Sequence, residues 1–427
     1  MRPDVIAPPT SRHAALIPDV SSARTGPVTV AVGQTVDGTL RAGALVAHRL
    51  GRGIAVISVI EPAAVYLWNT PSVPIPPSYE EDRSLSRWSY LEEQMRAAAM
   101  DGPTWSVEVF WGGISRTVAR AAHDLRAPLI VMGLGRHRPV DRLLGGETAL
   151  RTIRQADCPV LAVSSDFDAL PRVVAAGTDF SYASAHALRA ALPLLAPNAT
   201  VHLVHVWQPA ARFDLIGTPY DERYRHELPG RIVRFTAALD LPKGVTLRTH
   251  VLEGRPADRL LAIAEDVGAE LIVVGRHGRG VLERLLVGSV ATRVLRGATR
   301  SVLVVPEPAP GARLQLSARH GATTNVIARE EWASFLDRFT RHFAGRIVAL
   351  DVNDPSRGLR TQERGSVLFG ASYDPRENRL EIILGEPNGR RRHLTRVIPD
   401  PSDMSALLSP AGDEEGIHVL HGTGEIL

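Results

Sequence analysis

Along residues 28–305 short apolar runs alternate with helix-period stripes. Runs of four to seven apolar residues bounded by glycine, proline or charge are too short for helices and predict buried strands. Strands are predicted at 28–33, 54–60, 105–111, 129–133 and 159–163, and again at 173–177, 200–206, 245–251, 271–275 and 301–305. Helical stripes lie between them. One runs through Leu40, Ala44, Val46 and Ala47 and closes at Gly51; others are predicted over 85–100, 115–125, 147–155 and 256–268. In the last, Leu260, Ile263, Ala264 and Val267 share one face, and Pro256 suits the first turn. Five prolines at 62, 71, 74, 76 and 77 predict an irregular excursion over 62–82, and Pro193 should end a helix near Ala191.

Strands alternating with helices imply parallel sheets covered on both faces. The alternation stops after the second set. Residues 307–324 read as a linker, rich in proline and glycine at their start. Beyond them, 330–344 predicts a helix with Trp332, Phe335, Leu336, Phe339 and Phe343 on one stripe, which reads as core-facing. Short strands are predicted at 346–352, 366–373, 379–384 and 390–398, with turns at Asp374-Pro375, Glu377-Asn378 and Pro387-Asn388-Gly389. The fold class is therefore α/β: two tandem doubly wound parallel-sheet domains, 27–166 and 171–306, then a small α+β domain at 325–427. Residues 1–26 read as a loose arm.

The two α/β domains are an internal repeat. Residues 141–163, DRLLGGETALRTIRQADCPVLAV, align with 283–305, ERLLVGSVATRVLRGATRSVLVV. The second copy carries the chemistry. After the run 271–274 come Gly275, Arg276, His277 and Gly278, and a helical pattern opens at Gly288, Ser289 and Val290. Glycine permits close approach of backbone to a ligand. A serine at a helix start can cap it or contact a phosphate, and the free N–H groups of a first turn attract anions. Arg276 and Arg279 add positive charge. No lysine precedes Ser289, so this is not the GxxxxGK[ST] loop; nor is it GxGxxG.

The spacing Gly-x2-Gly-x9-Gly-Ser, with Asp179-Phe180-Ser181 after one strand, His205-Val206 ending the next and Gly254-x-Pro256-Ala257 opening a helix, resembles the ATP-binding branch of the universal stress protein family. The resemblance implies ATP held by Thr178, Asp179, Val206, Gly275, Arg276, His277, Gly278, Gly288, Ser289 and Val290. Val206 would meet the adenine through its backbone. Magnesium would arrive with the nucleotide, Asp179 being the candidate carboxylate; the bland role for that residue is helix capping with Ser181. Family members dimerise by their last strands, so 160–163 and 302–305 would pair as a pseudo-dimer within the chain, with homo-oligomers as a further level. The C-terminal domain resembles uncharacterised bacterial domains opening with a Glu-Glu-Trp helix.

In the first repeat the ligand positions differ. Gly133 matches Gly275, but Arg136 replaces Gly278, Glu147 replaces Ser289, and Gly33 stands where Asp179 does. A carboxylate about 4 Å from a phosphate charge costs about 4 kcal/mol at an effective dielectric of about 20. The first repeat is therefore expected not to bind ATP in the family manner, unless a shifted site uses Gly135, Gly145 and Gly146.

Composition adds limits. The 427 residues carry a net charge of +3, 44% hydrophobic and 22% charged residues, ordinary for globular domains and too mild to argue for nucleic acid. The run Arg390-Arg391-Arg392-His393 reads as a solvated strand end. No apolar run approaches the roughly 20 residues of a membrane span, and no signal-peptide core is recognised. The one cysteine, Cys158, excludes an intrachain disulfide and reads as a buried thiol. A reducing, cytoplasmic location is the expectation. Fifteen histidines form no HExxH or Cys–His spacing; His202 and His205 face opposite sides of a strand, and His250 stands alone. No nucleophile or acid–base pair can be placed, so no catalytic residue is assigned. The leading reading is an ATP-binding regulator of the stress response acting through partners. A slow ATPase using His277 or Asp179, and a nucleotide-free scaffold, are the alternatives.

Overall fold

The computed structural model describes residues 24–33, 38–61, 77–98, 104–134, 147–208, 219–276, 287–307, 324–354, 358–385, 393–409, 411–421 and 424–426. They form two compact units. One gathers the residues up to Arg172 with 193–196 and 299–303; the other holds 173–192, 197–298 and 304–427.

The first unit contains β1 (Val28–Val32), α1 (Thr39–Leu50), β2 (Ile54–Ile60), α2 (Pro77–Ala98), β3 (Trp105–Trp111), α3 (Ile114–Asp124), β4 (Ile130–Gly133), α4 (Glu147–Gln155) and β5 (Val160–Val163). Its strands run parallel in the order β3-β2-β1-β4-β5. Every residue of β1 and β5 is buried, the signature of a sheet covered on both faces. α1 stops at Gly51, whose left-handed φ of 61° turns its N–H back to the carbonyls of Ala47 and His48. Of the irregular excursion expected over 62–82, residues 62–76 lie outside the described residues and 77–82 are helical instead, because α2 already begins at Pro77. A proline at the first helical position sacrifices only an N–H that no intrahelical carbonyl could accept. Arg24, at the end of the segment read as a loose arm, is tied to Asp157 at 2.6 Å. Cys158 is buried, and burial pushes its thiol up to about 12.

In the second repeat β6 (Val173–Thr178), α5 (Tyr182–Ala191), β7 (Thr200–Trp207), α6 (Pro219–Ala237), β8 (Thr246–Glu253), α7 (Pro256–Asp266), β9 (Leu271–Gly275), α8 (Ser289–Gly297) and β10 (Ser301–Val305) repeat the order. Strands β9-β6-β7-β8 are parallel neighbours in that sequence. As expected, α5 ends at Ala191, and Pro193 sits in the 3-10 turn Leu192–Leu194. Gly177 in β6 leaves room for α7: a Cβ there would lie 3.1 Å from Leu260 Cδ2.

The C-terminal domain is an antiparallel sheet on one helix. A 3-10 turn, Arg329–Glu331, leads into α9 (Trp332–Phe343), so the helix is one turn shorter than the predicted 330–344. The sheet order is β11 (Thr324–Val326), β16 (Pro401–Leu408), β17 (Glu414–His421), β18 (Gly424–Ile426), β12 (Ile347–Asp354), β13 (Gly358–Asp374), β14 (Arg379–Gly385) and β15 (His393–Pro399). The aromatic stripe of α9 is buried against Leu350, Leu368, Leu380, Ile382 and Ile398. Strands β11 and β16 to β18 escaped sequence reasoning, since polar residues interrupt their alternation. Of the basic run, Arg390, Arg391 and Arg392 lie outside the described residues.

Candidate nucleotide site

The strand order of the second unit reverses between β9 and β6: β7 and β8 follow on one side of β6 and β9 lies on the other. Ligands of open α/β sheets bind outside the carboxyl ends of strands at such a switch point. Three of the expected segments meet that rim. Thr178 ends β6, Val206 lies one residue before the end of β7, and Gly275 ends β9.

The loop after β6 is held by its own side chains. Thr178 Oγ1 accepts the Phe180 N–H at 3.0 Å and lies 3.0 Å from Ser184 Oγ. Asp179 Oδ1 accepts the Ser181 N–H at 3.0 Å and the Ser181 hydroxyl at 2.5 Å. Ser181 is the N-cap of α5, its Oγ accepting the Ser184 N–H at 3.2 Å. Asp179 thus orients the capping serine rather than capping the helix itself. Between them Phe180 takes a left-handed φ of 63° with a fully buried side chain. A bulky residue in that region is strained and persists only where its surroundings hold it.

What holds Phe180 is His205. The parallel ladder pairs Thr178 with His205, and the imidazole stacks on the Phe180 ring with centroids 4.2 Å apart. His205 Nδ1 is 2.9 Å from the Thr178 carbonyl, which can only accept, so Nδ1 carries the proton. Nε2 lies 2.8 Å from the Tyr224 hydroxyl of α6, which can donate or accept. Sequence reasoning used His205 only as part of a motif and missed Phe180 and Tyr224 as site-forming residues. No local signal marks Tyr224, because it meets His205 only through the packing of α6.

The other side of the rim is built from β9 and α8. The Arg276 N–H donates to the Val305 carbonyl at 2.7 Å, and the Gly288 N–H donates to the Arg276 carbonyl at 2.8 Å. These bonds bring Gly275 and Arg276 beside Gly288 and Ser289. Arg276 is 6% exposed, a buried cation at the loop base rather than a solvated one. Gly288, not Ser289, is the N-cap; Ser289 is the first helical residue and makes no side-chain cap, which corrects the capping role considered for it. Val290 follows in the first turn, where N–H groups have no intrahelical acceptor. His277 and Gly278 lie outside the described residues.

At the matching rim of the first unit, Val32 pairs with Ser58 as Thr178 does with His205. There Arg87 of α2 donates from Nε to Ser58 Oγ at 2.9 Å and from Nη2 to the Gly33 carbonyl. Burial lowers the affinity of that guanidinium for its proton, with Tyr90 acting the other way. Glu147 opens α4. Arg136 and Gly135, Gly145 and Gly146 lie outside the described residues.

His250 is not alone: its Nε2 lies 2.9 Å from His202 Nδ1, and the rings stack. Burial and the neighbouring His250 and Arg248 lower the His202 pKa. Among the described residues no group of three or more His, Cys, Asp or Glu side chains could hold a metal ion. No described helix is long and apolar enough to cross a membrane.

Two doubly wound repeats in tandem, the second with a strand-order reversal between β9 and β6, define a tandem α/β architecture. The universal stress protein family model matches residues 27–164 and 171–306, and the chain belongs to that family. Residues 323–425 match a family of unknown function (DUF5335). A universal stress protein of Methanocaldococcus jannaschii is 49% identical over 65 residues, 15% of this chain and 38% of the relative. One from Mycolicibacterium smegmatis is 33% identical over 214 residues, 48% of this chain and 69% of its own length. The chain thus spans under half of the first of these relatives and about two thirds of the second. Among solved structures, a universal stress protein from Archaeoglobus fulgidus aligns with 65% of this chain and 96% of its own, at 19% identity and a TM-score of 0.46. Another, crystallised in complex with cAMP, covers 32% of this chain and 98% of its own, at 27% identity and a TM-score of 0.25.

Proposed function

We propose that the second repeat binds ATP and that the protein is a stress-response regulator whose nucleotide alters its interactions with partners. The observation that carries this reading is the closure of the loop base by Gly288 N–H on the Arg276 carbonyl. It sets the first turn of α8 beside the end of β9, so that a triphosphate lying there would meet unpaired N–H groups, the helix dipole and Arg276. Thr178, Asp179 and Val206 would face the nucleoside, and His277 and Gly278 would complete the loop. Mg²⁺ needs only one or two carboxylates beside the phosphates, which a single Asp179 can supply. ATP bound more tightly by one conformation would shift the protein toward it, with no fast chemistry required. We place the protein in the cytoplasm and expect the repeats to associate through 160–163 and 302–305, with further homo-oligomers.

Calorimetric titration with ATP and Mg²⁺, beside native mass spectrometry of the untreated protein, tests this. One ATP per chain is expected. Two would refute the assignment of a silent first repeat, and none, with no co-purified nucleotide, would favour the scaffold alternative.

A further inference from the structure

Among the described residues, the turn between β16 and β17 of the C-terminal domain meets the second repeat and reaches both elements that hold the Asp179 loop. Between β16 and β17 the Ser409 N–H bonds to the Asp413 carbonyl at 2.7 Å, and Ser409 Oγ accepts the N–H groups of Ala411 at 3.2 Å and Asp413 at 3.1 Å. Gly412 turns the chain with a φ of 83°, and a Cβ there would lie 3.2 Å from Arg234 Nε. The turn is therefore shaped before it meets its neighbour, and Gly412 allows the close approach.

Three contacts follow. Glu415 Oε1 accepts the backbone N–H of Tyr182, the first helical residue of α5, at 3.2 Å. That N–H has no intrahelical acceptor, and a carboxylate suits the positive end of the helix. The Asp413 carboxylate takes two contacts from the Arg231 guanidinium of α6, at 3.2 and 3.3 Å, with both side chains at least four-fifths covered. The Ala411 carbonyl accepts from Arg234 Nε at 2.6 Å.

From Arg231 a continuous set of contacts runs to the rim. Its guanidinium lies 5.2 Å from the Tyr224 ring centroid. Tyr224 bonds to His205, and His205 bonds to the Thr178 carbonyl and stacks on the strained Phe180. From Glu415 the path is shorter, since Tyr182 directly follows Ser181. One turn thus supports the Thr178–Tyr182 loop from its two ends.

We propose that the Ser409–Glu415 turn is a clasp that holds the Thr178–Tyr182 loop in its binding shape, so that docking of the C-terminal domain and occupation of the ligand site reinforce each other. The link to nucleotide rests on the site reading above; the clasp itself does not. By reciprocity, a ligand that docking favours must in turn favour docking by the same factor. The domain at 324–426 acquires a role as a positioning module for its neighbour.

The test uses the full chain and amide exchange resolved by residue. In ligand-free protein the double variant D413N/E415Q should speed exchange at least tenfold at Phe180, Ser181 and Ser184, whose N–H bonds are internal to the loop. Exchange over Leu271–Val274 should stay slow, which excludes general unfolding. Arg231→Met, breaking the other side of the pair, should act in the same direction. ATP should bind the double variant several-fold more weakly and should slow exchange in 411–416 of the unmodified protein. Unchanged exchange at the loop amides in both variants overturns the clasp, whatever ATP does. If the unmodified protein fails to bind ATP, the nucleotide reading falls, and the ligand-free exchange still decides the clasp.

Discussion

The two repeats have the same order of elements and differ at the rims of their sheets. In the first, the residue paired with the end of β1 is Ser58, and its partner is a guanidinium, Arg87. In the second, the residue paired with the end of β6 is His205, and its partner is a phenol, Tyr224. One rim carries a cation satisfied by Ser58 and the Gly33 carbonyl and, in α4, an acidic first residue. The other carries an aspartate-anchored loop on a buried histidine and, in α8, a serine behind a glycine cap. Buried apolar strands dictate the scaffold in both. What a rim can hold is decided by a few residues just past the strand ends, which the core does not constrain.

The comparison can be broken most severely at the glycine that sequence alone assigns. Gly278→Val should abolish ATP binding in calorimetry while circular dichroism stays unchanged; retained affinity would remove Gly278 from the site. Next, Ser289→Glu transplants the first repeat's carboxylate into the second. At the roughly 4 kcal/mol of a close like-charge pair, affinity should fall by about a thousandfold. The converse Glu147→Ser should create no second site, because Arg87 stays at the first rim; two ATP per chain would contradict that.

Smaller effects probe the loop. Phe180→Ala empties a fully buried position and should lower the stability of the second repeat by about 3–5 kcal/mol in denaturant titration. Tyr224→Phe removes one hydrogen bond from His205 and should cost about 1 kcal/mol. The smallest effect lies in the first repeat. Burial alone would raise the Asp157 pKa, but hydrogen bonds from Arg24 and His123 outweigh it and hold the carboxyl below its usual value. Its stabilisation is present above the ordinary carboxylate pKa and is lost as pH falls through the depressed one. Asp157→Asn should therefore make the acid limb of the stability profile of the first repeat shallower, and an unaltered limb would refute the contribution.

Much of this was legible from residue order. Most strands of the two repeats and the ends of α1, α4 and α5 follow from apolar runs, Gly51 and Pro193, because these depend on neighbours in the chain. The start of α2 was misplaced because Pro77 reads as a breaker until its position in the helix is known. Strands β16 to β18 were invisible because their partners, not their alternation, make them strands. At the site, the glycine and serine positions were marked by spacing. The roles of Phe180, Tyr224 and His250 were not, since each depends on an element distant in sequence.

Sequence by itself determined the repeat, the class of fold and the chemical asymmetry of the two rims, because burial pattern and charge are properties of residue type and order. Only the tertiary structure decided that Gly288 rather than Ser289 caps α8, that His205 holds a strained phenylalanine, and that an acidic turn some 230 residues away in sequence meets the first N–H of α5. Those depend on where a hydrogen-bond donor and its acceptor end up once separate elements have packed, and no local pattern encodes that distance.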